Sequence, residues 1–296
     1  MNLSIPRDIH SPVCNLLEAE LNMPVTLVSF TFMGGGSVNQ GGRIKTSIGD
    51  FFLKWNDAQK YPGMFAVEAR GLNQLRKSET IKTPKVIGTE VCDNHQFILL
   101  EFVEGRPASK NFWLNLGKAL AHLHTKASPA YGLDHDNYIG SLHQSNTEFS
   151  SWIDFYITMR LRPQMLLAIN SNKFDKDIVQ KFEKLFSKLS DLLPDDWPAL
   201  LHGDLWSGNL LTDEKGEPCL IDPAIYFGHR EVEIAFTKLF GGFDHSFYEA
   251  YQYELPLANN FQERVELYQL YPLLVHVNLF GGGYISQVKR ILNKFC

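Results

Sequence analysis

The sequence predicts an α+β protein with a small β-rich N-terminal lobe, residues 1–103, and a larger, mostly helical C-terminal lobe, residues 104–296. Short β-rich runs separated by turn residues fill the first hundred positions. Apolar residues at helical spacing dominate the remainder. The change occurs at a segment rich in Gly and Pro, residues 103–107, which is the candidate hinge.

The N-terminal lobe is predicted to contain two helices and two hairpins. β-Branched and aromatic runs separated by Gly, Asp and Asn indicate the hairpins. Pro62 indicates a helix start, because proline lacks the N–H that the first helical turn leaves unpaired. In chain order the predicted elements are a helix around residues 9–17, a β-rich run at 25–33, a hairpin of 42–48 and 51–55, a helix after Pro62, and a hairpin of 84–91 and 96–102.

The C-terminal lobe is predicted to be helical, with one β-like interruption at residues 199–223. The evidence is apolar residues that recur three and four positions apart. The predicted helices cover residues 114–125, 152–169, 174–193, 230–240 and 261–277.

Composition and charge exclude several classes of protein. A net charge of −5 gives no electrostatic support for nucleic-acid binding. The four cysteines stand far apart, without zinc-ribbon or disulfide-scaffold spacing. The first ten residues contain no apolar signal sequence, and no apolar run is long enough to span a membrane. We therefore expect a cytoplasmic protein that binds neither nucleic acid nor membrane.

A chemical motif lies inside the β-like segment. Residues 202–209, HGDLWSGN, follow the pattern H-x-D-x-x-x-x-N, and thirteen residues after Asn209 an apolar strand ends at Asp222. Kinases use this spacing to aim the first Asp at the acceptor hydroxyl, while the Asn and the second Asp hold the metal. The spacing predicts Asp204 as the catalytic residue, with Asn209 and Asp222 as Mg²⁺ ligands.

A kinase of this type needs an ATP site in the N-terminal lobe. A lysine in a short strand after a glycine-rich turn is typical of phosphate binding, and a glutamate on the next helix is placed to pair with it. Backbone groups just before the hinge are candidates for the adenine edge. The non-functional alternative for Lys54 is a strand lysine exposed to solvent. The alternative for Glu101 and Val103 is a buried strand that ends in a linker. The predicted ATP-binding residues are Lys54, Glu68, Gly34, Gly35, Gly36, Glu101 and Val103.

The acceptor of the phosphoryl group is predicted to be a small molecule. Asp222 is followed by Pro223 and, almost at once, by a predicted helix, with no D-F-G or A-P-E motif of a protein kinase. Trp206 lies two residues after Asp204. Aromatic faces suit sugars and cations, so we expect Trp206 to contact the acceptor. Its alternative role is to brace the loop.

Several segments resemble the fructosamine-3-kinase (ketosamine-3-kinase) family, within the wider aminoglycoside and choline kinase-like group. The resemblance extends over essentially the whole chain. It rests on HGDLWSGN, IDPAIYFGHREVEIAFTKLFGGF, YGLDHDNYIGS, WIDFYITMRLRPQ and NLFGGGYISQVKRIL. Two departures are His229, where relatives often have Asp, and a glycine segment without the Cys that some relatives carry. The second gives no support for a redox-linked dimer, and we expect a monomer.

The resemblance implies a protein-kinase-like fold and ATP-dependent phosphorylation of the sugar 3-hydroxyl of ketosamines. These are sugar adducts on protein or free amines, and their phosphorylation promotes deglycation. Two alternatives remain at this point: a kinase of another alcohol, such as an aminoglycoside, choline or a free sugar, and a nucleotide-binding scaffold without turnover. An antibiotic kinase should offer many carboxylates, whereas residues 127–148 contain three acidic residues. A kinase-like protein that has lost activity usually lacks one of the motif residues, and all four are present here: Lys54, Asp204, Asn209 and Asp222.

Overall fold

The computed structural model describes residues 4–34, 38–175 and 177–296. The chain divides into two units. The first unit extends to Phe112 and also takes in Leu210–Pro223, and the second comprises Trp113–Asn209 and Ala224–Cys296. The single boundary predicted after residue 103 remains a prediction.

A five-stranded antiparallel sheet forms the centre of the first unit. Its strands lie in the order β1 (Leu27–Phe32), β2 (Gln40–Thr46), β3 (Gly49–Asp57), β5 (His95–Glu101) and β4 (Val86–Cys92). Both predicted hairpins and the helix after Pro62 are confirmed. The elements are α1 (His10–Leu21), β1 (Leu27–Phe32), β2 (Gln40–Thr46), β3 (Gly49–Asp57), α2 (Met64–Lys77), β4 (Val86–Cys92) and β5 (His95–Glu101).

The alternation of side chains along each strand gives this sheet two apolar faces. One face, with Leu53 and Leu99, packs on Val13 and Leu17 of α1. The opposite face, with Ile98 and Leu100, packs on α2. Because successive side chains point to opposite faces and both faces are covered, a central strand such as β5 is buried along nearly its whole length. This packing fixes the position of β3 and α2, which carry Lys54 and Glu68.

The second unit is mostly helical, as predicted, and the α+β class is confirmed. Its helices are α3 (Phe112–His124), α4 (Trp152–Phe155), a π-helix (Tyr156–Leu161), α5 (Arg162–Asn170), α6 (Asp177–Phe186), α7 (Leu189–Leu192), α8 (Arg230–Thr237), α9 (His245–Glu254), α10 (Phe261–Phe280) and α11 (Gly283–Phe295). Its strands are β6 (Asn137–Ile139), β7 (Leu142–Gln144), β8 (Ala199–Leu201) and β11 (Tyr226–Gly228). Within the described ranges, no helix is both long enough and apolar enough to cross a membrane.

The structure differs from the predicted helices in three places. The helix predicted at residues 152–169 contains the π-helix, and the one at 174–193 is two helices, α6 and α7. The helix predicted at 230–240 ends at Thr237. A small hairpin, β6–β7, lies where no strand was predicted. Three-residue strands are too short to show an apolar period, and a π-turn changes hydrogen bonding without changing composition.

The predicted β-like segment is shared between the two units. In the second unit β8 pairs with β11, and a 3₁₀ turn covers Ser207–Asn209. In the first unit β9 (Leu210–Thr212) pairs with β10 (Pro218–Leu220). Asp204 and Asn209 therefore belong to the second unit, and Asp222 belongs to the first.

Candidate active site

Lys54 is the centre of a buried charge cluster in the first unit. Its Nζ lies 2.9 and 3.0 Å from the two carboxylate oxygens of Glu68 and 2.9 Å from Oδ1 of Asp222. The lysine side chain is only 8% exposed, so the interpretation as a solvated strand lysine is wrong. The predicted pairing of Lys54 with Glu68 is confirmed, and the contact with Asp222 is an addition that the sequence did not predict.

The opposite charges in this cluster stabilise the ionised form of one another. Burial is the largest influence on Lys54 and opposes its charge, but the carboxylates of Asp222 and Glu68 outweigh it and raise the pKa of the ammonium. Burial raises the pKa of Glu68, and Lys54 opposes that rise. At neutral pH the cluster therefore holds a cation that is kept charged and oriented, which suits a group that binds phosphate.

Asp222 lies at a sharp bend of the backbone. Its φ is +54°, in the left-handed region, which Asp and Asn tolerate better than most residues. The next residue is Pro223, whose ring cannot continue a strand ladder. The bend ends the path of β10 and leaves the Asp222 side chain 43% exposed. One carboxylate oxygen contacts Lys54, so the other remains for a cation.

The other predicted ATP-binding residues are only partly described. Gly34 has a φ of +95° and open space where a Cβ would lie. Gly35 and Gly36 lie outside the described residues. The Glu101 amide donates to the Lys85 carbonyl at 2.8 Å, and Val103 follows the end of β5 in partly exposed backbone. The adenine-binding role of Glu101 and Val103 stays a prediction.

The HGDLWSGN loop of the second unit, residues 202–209, holds Asp204 and Asn209 in contact. The Asn209 side-chain nitrogen Nδ2 donates to the Asp204 carbonyl and to Asp204 Oδ2, both at 2.9 Å. The Asn209 side-chain oxygen has no proton to donate to the Asp204 oxygens, so the Asn209 side-chain nitrogen must be the atom that faces them. The Asn209 Oδ1 therefore points away from Asp204 and is available to a metal ion.

A buried glutamate on α8 anchors the start of this loop. The Glu233 carboxylate accepts hydrogen bonds from the backbone amides of His202, at 3.1 Å, and Gly203, at 2.7 Å. It also lies 3.0 Å from His124 Nε2. Burial alone would raise the pKa of Glu233, but the hydrogen bonds from His124 and the Gly203 amide, with the nearby charges, lower it. A charged acceptor therefore fixes the two residues that precede Asp204.

Glycine is required at two positions of the loop. Gly203 has a φ of +84°, and a Cβ there would lie 2.0 Å from the Ala224 carbonyl oxygen. At Gly208 a Cβ would lie 2.2 Å from the Trp206 ring. The indole therefore lies directly over the backbone of Gly208. A side chain at either position would displace the loop that carries Asp204.

Trp206 is exposed rather than buried. The side chain packs on Gly208 and meets the Phe240 ring edge-on at a centroid distance of 6.4 Å, yet 39% of the residue remains exposed. The geometry keeps one aromatic surface accessible two residues from Asp204.

Each unit contains an oxygen donor of the kind that Mg²⁺ prefers. Within the described ranges, no group of three or more His, Cys, Asp or Glu residues is arranged to hold a metal. Mg²⁺ is typically bound by one or two protein oxygens together with substrate phosphates and water. The amide oxygen of Asn209, in the second unit, and a carboxylate oxygen of Asp222, in the first unit, are each hard donors of that kind. His124, which contacts Glu233 and Tyr251, is structural.

Glu233 is the residue that the sequence analysis missed. It lies in the segment EVEIAF, and only the burial of the whole segment distinguishes it from an ordinary surface glutamate. The sequence signal that could have identified it is a glutamate between two apolar residues, Val232 and Ile234, in a predicted helix. Its partners, the amides of residues 202 and 203, were not readable from the sequence, because their contact depends on the tertiary fold.

These features define a phosphotransferase of the protein-kinase-like class. The fructosamine kinase family model matches residues 10–296. A protein from Enterococcus faecium named as a probable ketoamine kinase is 38% identical over 263 residues, which cover 88% of this chain and 93% of that protein. The chloroplastic protein-ribulosamine 3-kinase of Arabidopsis thaliana is 38% identical over 268 residues, covering 89% of this chain and 81% of the relative. The chain belongs to the fructosamine kinase family.

Solved structures agree with this assignment. A crystal structure from Haemophilus somnus that carries the fructosamine-3-kinase name matches with a TM-score of 0.88 and 28% identity, covering 96% of each chain. A second, from Thermobifida fusca, matches with a TM-score of 0.85 and 31% identity, covering 95% of this chain and 97% of that one. The aminoglycoside phosphotransferase APH(4)-Ia, at 14% identity and a TM-score of 0.62, shares the fold.

Proposed function

We propose that this protein transfers the γ-phosphoryl group of ATP to the 3-hydroxyl of the sugar in a ketosamine. The observation that carries the proposal is the family match over residues 10–296. Relatives named as ketoamine kinases and protein-ribulosamine 3-kinases support the same acceptor class. The product is a sugar phosphate adduct prone to decompose, which gives the enzyme a role in deglycation.

Asp204 is the proposed catalytic residue. The Asn209 amide donates a hydrogen bond to Asp204 Oδ2, which restrains the carboxylate that the acceptor hydroxyl is proposed to approach. That hydroxyl donates its proton to the carboxylate as its oxygen attacks the γ-phosphorus, and the bond from phosphorus to the bridging oxygen of ADP breaks. Positioning and electrostatics supply most of the rate in this chemistry, which is why a rigid loop matters.

Lys54 is the proposed phosphate-binding residue. Its ammonium is buried, charged and held by Glu68, so it meets nucleotide phosphates without first losing a hydration shell. Asn209 and Asp222 are the proposed Mg²⁺ ligands, and an ion held there would neutralise charge on the transferring phosphoryl group. Gly34, Gly35 and Gly36 are proposed to approach the phosphates, with the backbone of Glu101 and Val103 at the adenine.

Trp206 is the proposed contact for the sugar. Its exposed indole face offers an apolar surface to the C–H bonds of a sugar ring and attracts a protonated amine. We further propose a monomeric enzyme of the reducing cytosol. The four cysteines, all free, support that compartment.

An acceptor screen tests this function. ADP release is measured with wild-type protein, MgATP and each acceptor in turn: fructosamines, ribulosamines, free sugars, an aminoglycoside and choline. The proposal predicts ADP release that depends on a ketosamine, and almost none with Asp204→Asn as the matched control. Turnover with choline or the aminoglycoside but not with any ketosamine contradicts the acceptor class. Nucleotide binding without turnover on any acceptor supports a scaffold.

A further inference from the structure

A buried polar network joins the β6–β7 hairpin to the helices of the second unit. We define the polar network as Asn137, Gln144, Asn146, Arg160 and Tyr271, whose side chains are all buried. Asn137 and Gln144 belong to the hairpin, whereas Arg160 lies in the π-helix and Tyr271 on α10. Buried polar groups are costly unless each is hydrogen-bonded, and a satisfied network specifies one arrangement. These contacts therefore fix how the hairpin lies against the rest of the unit.

Arg160 sets the direction of the hydrogen bonds in the network. Its guanidinium can only donate, and it donates to Asn146 Oδ1 at 2.6 Å and to the Ser145 carbonyl at 2.7 Å. The Asn146 side-chain nitrogen therefore points away from Arg160, and it donates to Asn137 Oδ1 at 3.1 Å. Asn137 in turn donates through Nδ2 to the Ile225 carbonyl at 2.8 Å. A donor-only group at one end of the network thus delivers an N–H group to a backbone carbonyl at the other.

A π-turn holds the guanidinium in this position. The Arg162 amide donates to the Ile157 carbonyl, as the wider turn of a π-helix requires, and such turns are frequent at functional sites. The guanidinium carbon of Arg160 lies 4.0 Å from the centroid of the Tyr226 ring and 4.6 Å from that of Phe155. The aromatic faces favour the charge. A buried charge is weak evidence for stability, and its better attested use is to fix one arrangement of its neighbours.

Gln144 connects the network to the backbone at Ala224. Its Nε2 donates to Asn137 Oδ1 at 2.7 Å and to the Ala224 carbonyl at 3.2 Å. Its Oε1 accepts the hydroxyl of Tyr271. Burial raises the pKa of Tyr271, so this hydroxyl keeps its proton and remains a donor. The Gln144 amide is therefore oriented from both sides, with its N–H groups toward Asn137 and Ala224.

Ala224 is in direct contact with the backbone that precedes Asp204. Its amide donates to the His202 carbonyl at 2.9 Å, and its carbonyl oxygen lies against Gly203, where a Cβ would be only 2.0 Å away. Glu233 accepts the amides of the same two residues, 202 and 203. The backbone before Asp204 is thus restrained at its N–H groups by Glu233 and at the His202 carbonyl by Ala224.

We propose that Gln144 is a positioning residue for phosphoryl transfer. Oriented by the charge of Arg160, it holds Ala224 against the backbone that presents the Asp204 carboxylate to the acceptor hydroxyl. This inference rests on the proposed function, because it takes Asp204 as the residue that meets that hydroxyl. A displacement of about 1 Å at a reacting group can cost about 10²-fold in rate. The network therefore acts on kcat and leaves the affinity for ATP nearly unchanged.

Two variants test the role of Gln144. Gln144→Met fills a similar volume but has no N–H group for the Ala224 carbonyl. With a ketosamine and MgATP, well below the thermal midpoint of the variant, kcat should fall about ten- to a hundredfold while the KM for ATP stays within about twofold. Tyr271→Phe keeps the ring and removes only the O–H group that Gln144 accepts. Its kcat should fall less, by about two- to fivefold.

Gln269→Met is the matched control. Gln269 is also a buried amide of the second unit, and it donates to one backbone carbonyl, that of Ala235, at 2.9 Å. This variant should lower the thermal midpoint and leave kcat near the wild-type value. A network that serves stability alone predicts the same behaviour for Gln144→Met and Tyr271→Phe.

The two variants and the wild type separate the possible failures. An active wild type whose Gln144→Met and Tyr271→Phe variants keep normal kcat, or change kcat and the KM for ATP together, overturns the positioning role and leaves the proposed function intact. If Gln144→Met does not fold, the kcat of Tyr271→Phe decides in the same way. A wild type without turnover on any ketosamine overturns the proposed function and this inference with it.

Discussion

Asp204 and Asp222 are both carboxylates, but their surroundings assign them different chemistry. Asp204 is restrained by a neutral amide, that of Asn209, through one oxygen. Asp222 is bound to the ammonium of Lys54 and lies at a left-handed bend that exposes its side chain. The first arrangement suits proton acceptance from a hydroxyl, and the second suits a site shared by cations and phosphates.

Neutralising the two carboxylates separates these roles. Asp204→Asn should lower kcat by roughly 10²-fold or more and leave the KM for ATP nearly unchanged, because it removes the proposed base. Asp222→Asn should instead weaken MgATP binding, since the metal loses a charged ligand. Asn is preferred to Ala because it tolerates the φ of +54°. Steady-state kinetics at varied Mg²⁺ measure both effects, and the reverse pattern would mean that the roles are exchanged.

Lys54→Met should reduce turnover severely, and Glu68→Gln should reduce it less. The first change removes the cation that meets the phosphates, whereas the second only weakens its orientation. Lys45→Met on β2 is the matched control, because Lys45 is an exposed lysine of the same sheet. Kinetics with saturating acceptor report the effect. Unchanged activity of Lys54→Met, in a protein of normal thermal stability, would reject the phosphate-binding role.

At the scale of elements, α8 supports the loop that carries Asp204 through one side chain, that of Glu233. In Glu233→Gln the side-chain amide N–H would face at least one of the N–H groups that donate hydrogen bonds to the Glu233 carboxylate. We expect a loss of about 1–3 kcal/mol in the free energy of unfolding, the cost of a buried donor without a partner, and a fall in kcat with little change in ATP affinity.

Denaturant unfolding and steady-state kinetics check this prediction. Glu249→Gln on α9, an exposed glutamate of the same unit, is the control and should alter neither quantity. A Glu233→Gln enzyme with normal stability and normal kcat would show that the loop does not depend on this anchor.

The elements that could be predicted are those whose signal is local. Residues 42–55 and 84–102 alternate around clear turn residues, and both hairpins are present. The motif of Asp204 and Asn209 is equally local, and the two side chains are in contact. The Lys54–Asp222 ion pair and the Glu233 anchor join residues distant in sequence, 168 positions apart for the ion pair. No local period or spacing encodes such contacts, because tertiary packing creates them.

Across the whole molecule, a buried histidine makes stability depend on pH. His229 caps α8, accepting the Glu231 amide at Nδ1, while Nε2 meets the Pro194 carbonyl. Burial and the neighbouring Arg230 lower its pKa to about 3. An unfolded chain takes up that proton near pH 6.5. Below pH 6.5 the unfolded state therefore binds more protons, and the free energy of unfolding falls as the pH drops toward 3.

His229→Asn should flatten this dependence. Asn is a good N-cap and does not titrate, so the variant should lose about 1 kcal/mol less per pH unit than the wild type below pH 6. Urea unfolding at several values between pH 7.5 and 4.5 measures the difference. Parallel curves for the two proteins would mean that His229 takes up its proton as readily in the folded state as in the unfolded chain, which would contradict the lowered pKa.

The position of the transferred phosphate tests the central claim most directly. Wild-type protein is incubated with MgATP and a fructosamine, and the product is examined by two-dimensional ¹H–³¹P NMR. The account predicts a phosphorus nucleus coupled to the proton on carbon 3 of the sugar, and no such product with Asp204→Asn. Phosphate on another hydroxyl, or transfer to an aminoglycoside or choline with none to the fructosamine, would contradict it.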